Sequence, residues 1–404
     1  MKLADLAKYG HGPKPTVAET ADASSAWRLD GDIVPLTGDS FYRDLTYPAE
    51  HRHGMHRLRA IRGVSPARFA LLCKDAELEY ADLGQVVFLD TETTGLGMGA
   101  GTYIFLVGAG FLEGDAYRVR QFFLGHPGDE RNFLDALSAF LAGFGVLVTF
   151  NGKAFDWPLL EGRFLRHRRP VPLSDPPHLD LLHPARRLWK RRVQSCALVS
   201  LESTLLGVQR TEEDVEGWEI PGLYFTYLRR RDPAELERVF YHNVQDILSL
   251  TTLAVRMDRV LADPFGGLTR DALDFYSLAR VFERAGDPQS AVLCYEEALH
   301  QGLDPEYRHD ALVRVSTLHK RRRWWDGALA AWERLLDDGG ASAYYALIEM
   351  AKFYEHVERD YARALDLVRD ALIMGELPSA LGDAPGDLEH RLARLTRRVT
   401  LNRR

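Results

Sequence analysis

An apolar run, VVFLD at 86–90, ends in Asp90, and Glu92 follows two residues on. A strand alternates its side chains, so these two carboxylates share a face. Ionised side by side in an apolar setting, they repel and are costly to desolvate. A hard divalent cation with oxygen ligands relieves both costs. A third acid, Asp156, lies in FNGKAFDWP (150–158), where another apolar run gives way to a helical pattern. Strand ends of open α/β sheets are the usual place for a site, although an acid at a helix start also serves as an N-cap. Asp246 stands four residues after His242, which puts an imidazole and a carboxylate on one helix face. Asp90, Glu92, Asp156 and Asp246 together match the charge of two divalent cations, Mg²⁺ or Mn²⁺, as two-metal phosphoryl chemistry requires. His242 would be the general base, since neutral imidazole takes a proton near pH 7.

The elements that must position these residues follow from hydrophobic pattern. Strands are expected at 86–90, 102–111, 116–124 and 145–150, with Glu113-Gly114-Asp115 as a hairpin turn. Helices are expected at 129–142, 155–168, 198–206 and 234–261. The order β-β-β-α-β-α implies an α/β domain with a mixed sheet and flanking helices. Residues 1–30, poor in large apolar groups, read as a flexible tail. ADPFGG at 262–267 reads as a linker. The organisation expected is therefore a tail to 30, an α/β domain over 31–262 and an all-α domain over 268–404. In that last stretch Ala291, Tyr295 and Ala298 recur as Ala328, Trp332 and Leu335, and again as Ala364, Val368 and Ala371. Small residues with aromatics between them at this period predict three tetratricopeptide-like helix pairs and a terminal helix at 387–401, stacked as a short solenoid.

The 404 residues are 46% hydrophobic and 27% charged, enough to build cores and to exclude global disorder. No run is long and apolar enough to span a membrane, and the start, MKLADLAKYGHGPKP, lacks the apolar stretch of a secretory leader. Three scattered cysteines without CxxC argue against a disulfide framework or a cysteine zinc site, so a cytoplasmic home is expected. The net charge of −7 does not point to nucleic acid. A local patch does: residues 161–192 hold nine Arg and Lys against three acids. Such a run is also what a solvated helix face looks like.

VFLDTETTGL, NGKAFD and HNVQDILSL, in this order and at these wide separations, resemble the three motifs of DEDD-type 3′→5′ exonucleases of ribonuclease H-like fold. With YIFLVG (103–108), SLESTLLG (200–207) and GWEIPGLY (217–224), the likeness is closer to the YprB-like bacterial family, which joins such a nuclease to a C-terminal tetratricopeptide region. The resemblance implies a five-stranded ribonuclease H-like sheet, 3′→5′ hydrolysis of nucleic acid, DNA rather than RNA, at single-stranded 3′ ends, a place in DNA repair, and a DNA helicase partner for the repeats. It also implies that Thr93, Thr94, Gly95 and Leu96 pack on the terminal nucleotide. Asn151 and Lys153 are placed to touch sugar or phosphate. Arg186, Arg187, Lys190, Arg191 and Arg192, with Trp189 among them, would track a strand by charge and stacking. Histidine-type members usually space histidine and aspartate one residue further apart, where Tyr241 stands here. The YprB-like resemblance implies the histidine at this tighter spacing, His242, as the base, and helix geometry agrees, since the Tyr241 position turns away from Asp246.

Competing readings are a degenerate nuclease fold serving as a repeat scaffold, against which the full set of acids argues, and an endonuclease, which alone would open a circular substrate. Gly95–Ala100 satisfies GxGxxA, but a strand follows it rather than a helix, which argues against dinucleotide binding. The histidines of HRHGMH (51–56) have no nearby carboxylate or cysteine to complete a ligand set and read as a surface turn packed on the next domain. His126 and His183, each beside a proline, read as loop residues.

Overall fold

The computed structural model describes residues 27–95, 97, 101–173, 175–211, 213–374 and 385–402. They form two compact units, one ending at Leu268 and the other starting at Thr269. The first is built on nine strands: β1 (Asp32–Pro35), β2 (Phe41–Pro48), β3 (Arg52–His53), β4 (His56–Arg57), β5 (Val86–Thr93), β6 (Ile104–Glu113), β7 (Ala116–Phe123), β8 (Val146–Thr149) and β9 (His178–Asp180). Seven make one mixed sheet in the order β1-β2-β7-β6-β5-β8-β9. Its β5–β8 and β8–β9 pairs are parallel. The other pairs are antiparallel.

The expected five strands are thus corrected to seven. The additions lie at the edges, and none is an apolar run. β2 reads FYRDLTYP and carries charge in its middle. Arg43 is buried there because its Nε donates to Gln121 Oε1 at 2.8 Å and its Nη1 to the Asp30 carbonyl at 2.9 Å. Asp44 accepts two hydrogen bonds from Arg120 across the ladder. β9 has only three residues.

Helices α1 (Pro66–Cys73), α2 (Glu130–Leu141), α3 (Asp156–Arg166), α4 (Leu182–Trp189), α5 (Leu198–Leu201, continued by a π-turn to Leu206), α6 (Ile220–Arg230) and α7 (Glu237–Ala262) complete the unit. The core joins sheet residues to Phe133 and Leu137 of α2, Leu160 and Phe164 of α3, Tyr224 of α6 and Phe240 of α7. Tyr224 stacks on Phe105 with centroids 4.1 Å apart. Trp27 and Leu29, inside the stretch expected to be a tail, pack against this core; residues 1–26 lie outside the described residues. A ring contact to each of Phe41, Phe123, Tyr227 and Phe240 seats Trp27.

α7 is the element on which the site depends. From Ile247 to Val255 every residue is buried, as expected of a helix covered on all sides. Two glycines let it lie on the sheet. A Cβ on Gly108 would sit 2.1 Å from Asn243 Oδ1, and one on Gly110 would sit 2.4 Å from Ile247 Cγ2. The GAG of β6 is therefore a groove cut for this helix.

The second unit is all helix: α8 (Ala272–Arg284), α9 (Pro288–Gln301), α10 (Pro305–Arg321), α11 (Trp325–Asp338), α12 (Gly340–Phe353), α13 (Tyr361–Ile373) and α14 (Pro385–Asn402). Asp271, Asp287 and Asp360 cap helix starts by accepting a backbone N–H. Buried Ala279, Ala291, Ala298, Ala328 and Ala364 let neighbouring helices approach, with Tyr295 and Trp332 between them. Among the described residues no helix is long and apolar enough to cross a membrane. Cys73, Cys196 and Cys294 are unbridged.

Candidate functional site

Asp90 sits in the middle of the β5–β6 ladder opposite Gly108, and the register shifts between Glu92 and Thr93. Such a bulge re-aims a strand end. Asn243 Nδ2 of α7 donates to Asp90 Oδ2 at 2.8 Å, while Asn243 Oδ1 accepts from Gln121 at 2.7 Å. The carboxylate is thus held by the helix that the Gly108 groove admits. Asp156 opens α3 as its first residue, with Phe155 as the N-cap, and its carboxylate accepts a hydrogen bond from Thr91 Oγ1. The turn before it is fixed by Asp180, which accepts from the backbone N–H groups of Asn151 (2.8 Å), Lys153 (3.2 Å) and Leu182 (3.0 Å). Asn151 takes the left-handed conformation that this turn needs, with φ +67°.

One ligand atom from each of Glu92, His242 and Asp246 lies within 4.8 Å of the others. Asp90 and Asp156 stand outside that tight trio, and after burial the charges of Asp246 and Asp156 raise the proton affinity of Asp90. Burial, then neighbouring carboxylates, hold Asp90 and Glu92 well above the usual carboxylate range. Burial likewise pushes Asp156 up to about 6 and raises Asp246.

Three further residues complete the cluster: Arg210 and Asp214, which carry no sequence signal, and Glu202, which lies within SLESTLLG. Arg210 is gripped by buried Glu202, its Nε and Nη2 donating to the two carboxylate oxygens at 2.7 Å each. The rest of its fork reaches Asp214 at 3.2 Å and Asp246. Asp214 accepts from His242 Nδ1 at 2.8 Å, and His242 Nε2 is 3.5 Å from Asp246 Oδ2. Arg210 also comes within 3.1 Å of His242 Nδ1, but that nitrogen has one proton and Asp214 is the acceptor in reach. The assigned tautomer leaves the Nε2 lone pair facing the acids. Burial pulls the His242 pKa down, but the Asp214 hydrogen bond and the Asp246 charge outweigh it, and the pKa is raised.

The donor set fits divalent cations. Glu92 and Asp246 present oxygens beside His242, and the guanidinium that Asp246 touches, Arg210, is already shared with Glu202 and Asp214. Glu92 has no hydrogen bond or ion pair among the described residues. Oxygen donors short of positive charge suit a hard ion.

The remaining expected contacts are uneven. Thr93 and Thr94 shape the turn after β5: Thr93 Oγ1 donates to the Gly95 carbonyl, and Thr94 is hydrogen-bonded to the backbone of Tyr103. Leu96 lies outside the described residues. Asn151 and Lys153 are exposed beside Asp156. Arg186 and Lys190 are exposed, whereas Arg187 donates to the Leu72 carbonyl and Arg191 and Arg192 are half-buried. Trp189 is corrected: at 3% exposure it belongs to the core face of α4 and offers no stacking surface. Tyr241 accepts from Thr211 Oγ1 at 3.2 Å, away from the acids. The HRHGMH segment is a hairpin rather than a surface turn, since His53 and His56 are buried; His53 is hydrogen-bonded to Ser249 of α7 at 2.7 Å. His126 accepts from the Gly128 N–H within its loop.

Residues 87–258 match the RNase_H superfamily. A solved family B DNA polymerase from the archaeon Pyrobaculum calidifontis is similar at 14% identity and a TM-score of 0.34, over 50% of this chain and 29% of that one. The uncharacterized protein YprB of Bacillus subtilis is 32% identical over 337 residues, which span 82% of this chain and 79% of the relative. With an RNase H superfamily domain and that breadth of identity, the chain belongs to the YprB family.

Proposed function

We propose that the chain is a metal-dependent 3′→5′ exonuclease that hydrolyses nucleic acid, DNA rather than RNA, in DNA repair. The observation that carries the reading is an imidazole oriented by Asp214 and aimed at acids of which the Glu92 carboxylate is unpartnered among the described residues. RNase H-like nucleases use divalent metals, and Asp90, Glu92, Asp156 and Asp246 would hold two Mg²⁺ or Mn²⁺ ions. When bound, such ions supply Lewis acidity that acidifies the attacking water and steadies the departing 3′ oxygen. His242 Nε2 takes the proton of that water as it attacks the terminal phosphodiester. Asp214 stabilises the imidazolium that results, as the acid of a catalytic triad does. Arg210 fixes Asp214 and Asp246 to one another, so base and ligand move together. Asn151 and Lys153 meet sugar or phosphate, and Thr93, Thr94, Gly95 and Leu96 pack on the terminal nucleotide. The exposed Arg186 and Lys190, with Arg187, Arg191 and Arg192, draw the strand in by charge.

The helical unit is read as a tetratricopeptide-like solenoid that receives a DNA helicase, which would deliver single-stranded 3′ ends. The alanine and aromatic recurrence supports this, and the setting proposed is the cytoplasm.

The test is a time course on 5′-labelled single-stranded DNA and RNA with Mg²⁺, Mn²⁺ or chelator. A ladder shortening from the 3′ end, absent in chelator and from His242→Ala protein of unchanged circular dichroism, is expected. Full activity in His242→Ala would overturn the assignment.

A further inference from the structure

Away from the acids, the β3–β4 hairpin, the turn after it and the C-terminal part of α7 enclose a hollow of about 590 Å³. Arg52, Arg57, Arg59 and Arg259 line it, over an apolar floor that includes Met55 and Val255. The wall acid Asp258 is already spent, since both its oxygens accept from Arg68. One exposed carboxylate, Glu50, pairs with both Arg57 and Arg59 and holds them side by side. Arg52 reaches only the Met55 carbonyl, at 3.4 Å, and Arg259 only His56 Nδ1, at 3.2 Å, among the described residues. Each guanidinium offers five N–H donors, so most of each fork stays open. Four arginines against Glu50 concentrate positive charge on a chain whose net charge is −7. The adjoining His56 registers that field: burial, and then Arg259, Arg256 and Arg52, push its imidazole down to about 4.

The hollow is joined to the candidate active site. Met55 N–H donates to the Leu206 carbonyl at 2.8 Å, at the end of the turn that carries Glu202. Gly54 has φ +59°, and a Cβ there would meet that same carbonyl at 2.1 Å, so the hairpin is seated tightly. Glu202 in turn grips Arg210, and Arg210 grips Asp246.

We propose that this hollow is a second nucleic-acid subsite, in which arginine forks hold backbone phosphates of the strand whose 3′ end lies among the acids. The proposal rests on the nuclease reading. Guanidinium forks match phosphate oxygens in pairs, and Met55 and Val255 add apolar surface for a sugar edge or base. Asp246 and Arg259 stand ~20 Å apart along α7. A trinucleotide at stacked spacing, ~10 Å long, falls short of that distance, whereas a 20-mer spans it stacked or extended.

The experiment compares wild type, Arg52→Ala/Arg259→Ala and Arg52→Lys/Arg259→Lys on a single-stranded 20-mer and a trinucleotide. KM, kcat and the salt dependence of KM are measured, with circular dichroism as the check on folding. For the alanine pair, a rise in KM of about tenfold on the 20-mer, much larger than on the trinucleotide, is expected. Its salt slope should fall by about 1.4, the value for two lost phosphate contacts on a single strand. The lysine pair should keep most of the slope, because it keeps the charge. Equal KM and slope for wild type and the alanine pair on the 20-mer would overturn the subsite while leaving the nuclease standing. A wild type without activity on either substrate would take both readings down. Inorganic pyrophosphate separates a backbone site from one for free phosphate. Inhibition of 20-mer hydrolysis, weaker in the alanine pair, is expected; tight pyrophosphate binding with no effect on the 20-mer would sink the backbone assignment.

Discussion

Two groups of acids in this molecule are buried, and they are treated in opposite ways. In the helical unit, Glu355 is 4% exposed and accepts from Arg391 at 2.7 Å and from Arg394 at 2.8 and 2.9 Å. Glu349 is held by Lys320 and Lys352. Each of these acids has its cations within the chain. In the first unit, Asp246 shares Arg210 with Glu202 and Asp214, while Asp90, Glu92 and Asp156 have no ion pair among the described residues. Both places hold carboxylates that are buried or partly buried; what separates them is the supply of positive charge. A paired acid holds a fold together, whereas an acid kept short of counter-charge waits for a cation from outside.

The sharpest attempt to break this contrast is a matched pair of substitutions. Glu92→Gln should reduce nuclease activity about a thousandfold, some 4 kcal/mol of barrier. In chelator its melting temperature should not fall, since a repelling charge has been removed. Wild type at a hundred times the metal dissociation constant should gain about 2.7 kcal/mol, most of it lost in Glu92→Gln. Glu355→Gln should do the reverse in a melting experiment, costing about 3 kcal/mol because two arginines are left without their acid. If both variants were destabilised alike, the two clusters would be of one kind. Next in size, Asp214→Asn should lower kcat about a hundredfold, ~2.7 kcal/mol, with KM little changed, because the imidazole loses its orienting acceptor. A shift in KM alone would make Asp214 a substrate contact instead.

The smallest effect concerns buried groups that avoid charge altogether. Burial brings His53, His56 and His178 down to about 4. Their folded values lie below the unfolded value near 6.5, so the unfolded chain binds more protons between the two. The stability they contribute is complete above about 6.5 and is lost as pH falls toward 4, at up to about 1.4 kcal/mol per pH unit for each histidine. Urea midpoints at pH 7.5 and 5 measure this, and His53→Asn should flatten the difference.

Much of the first unit was legible because burial in a sheet centre leaves apolar runs: β5, β6, β7 and β8 all announce themselves. β1, β2 and β9 do not, because their pairing rests on tertiary partners such as Arg43–Gln121 and Asp44–Arg120. Motif order pointed to the four acids and His242, of which Glu92, His242 and Asp246 lie close together in the structure. Arg210 and Asp214 were not legible, since they lie in an irregular stretch whose acids resemble a solvated surface. Trp189 could have been placed correctly: Leu182, Ala185, Leu188 and Trp189 mark one helical face, and a tryptophan on it is core.

The seating of Trp27 decides where this chain can be shortened. A cut at residue 31, where the hydrophobic pattern begins, takes away an indole lodged among Phe41, Phe123, Tyr227 and Phe240. Phe240 precedes His242 on the same helix, so a protein trimmed there would lose its wedge directly behind the base. A fragment meant for assay has to begin ahead of that tryptophan.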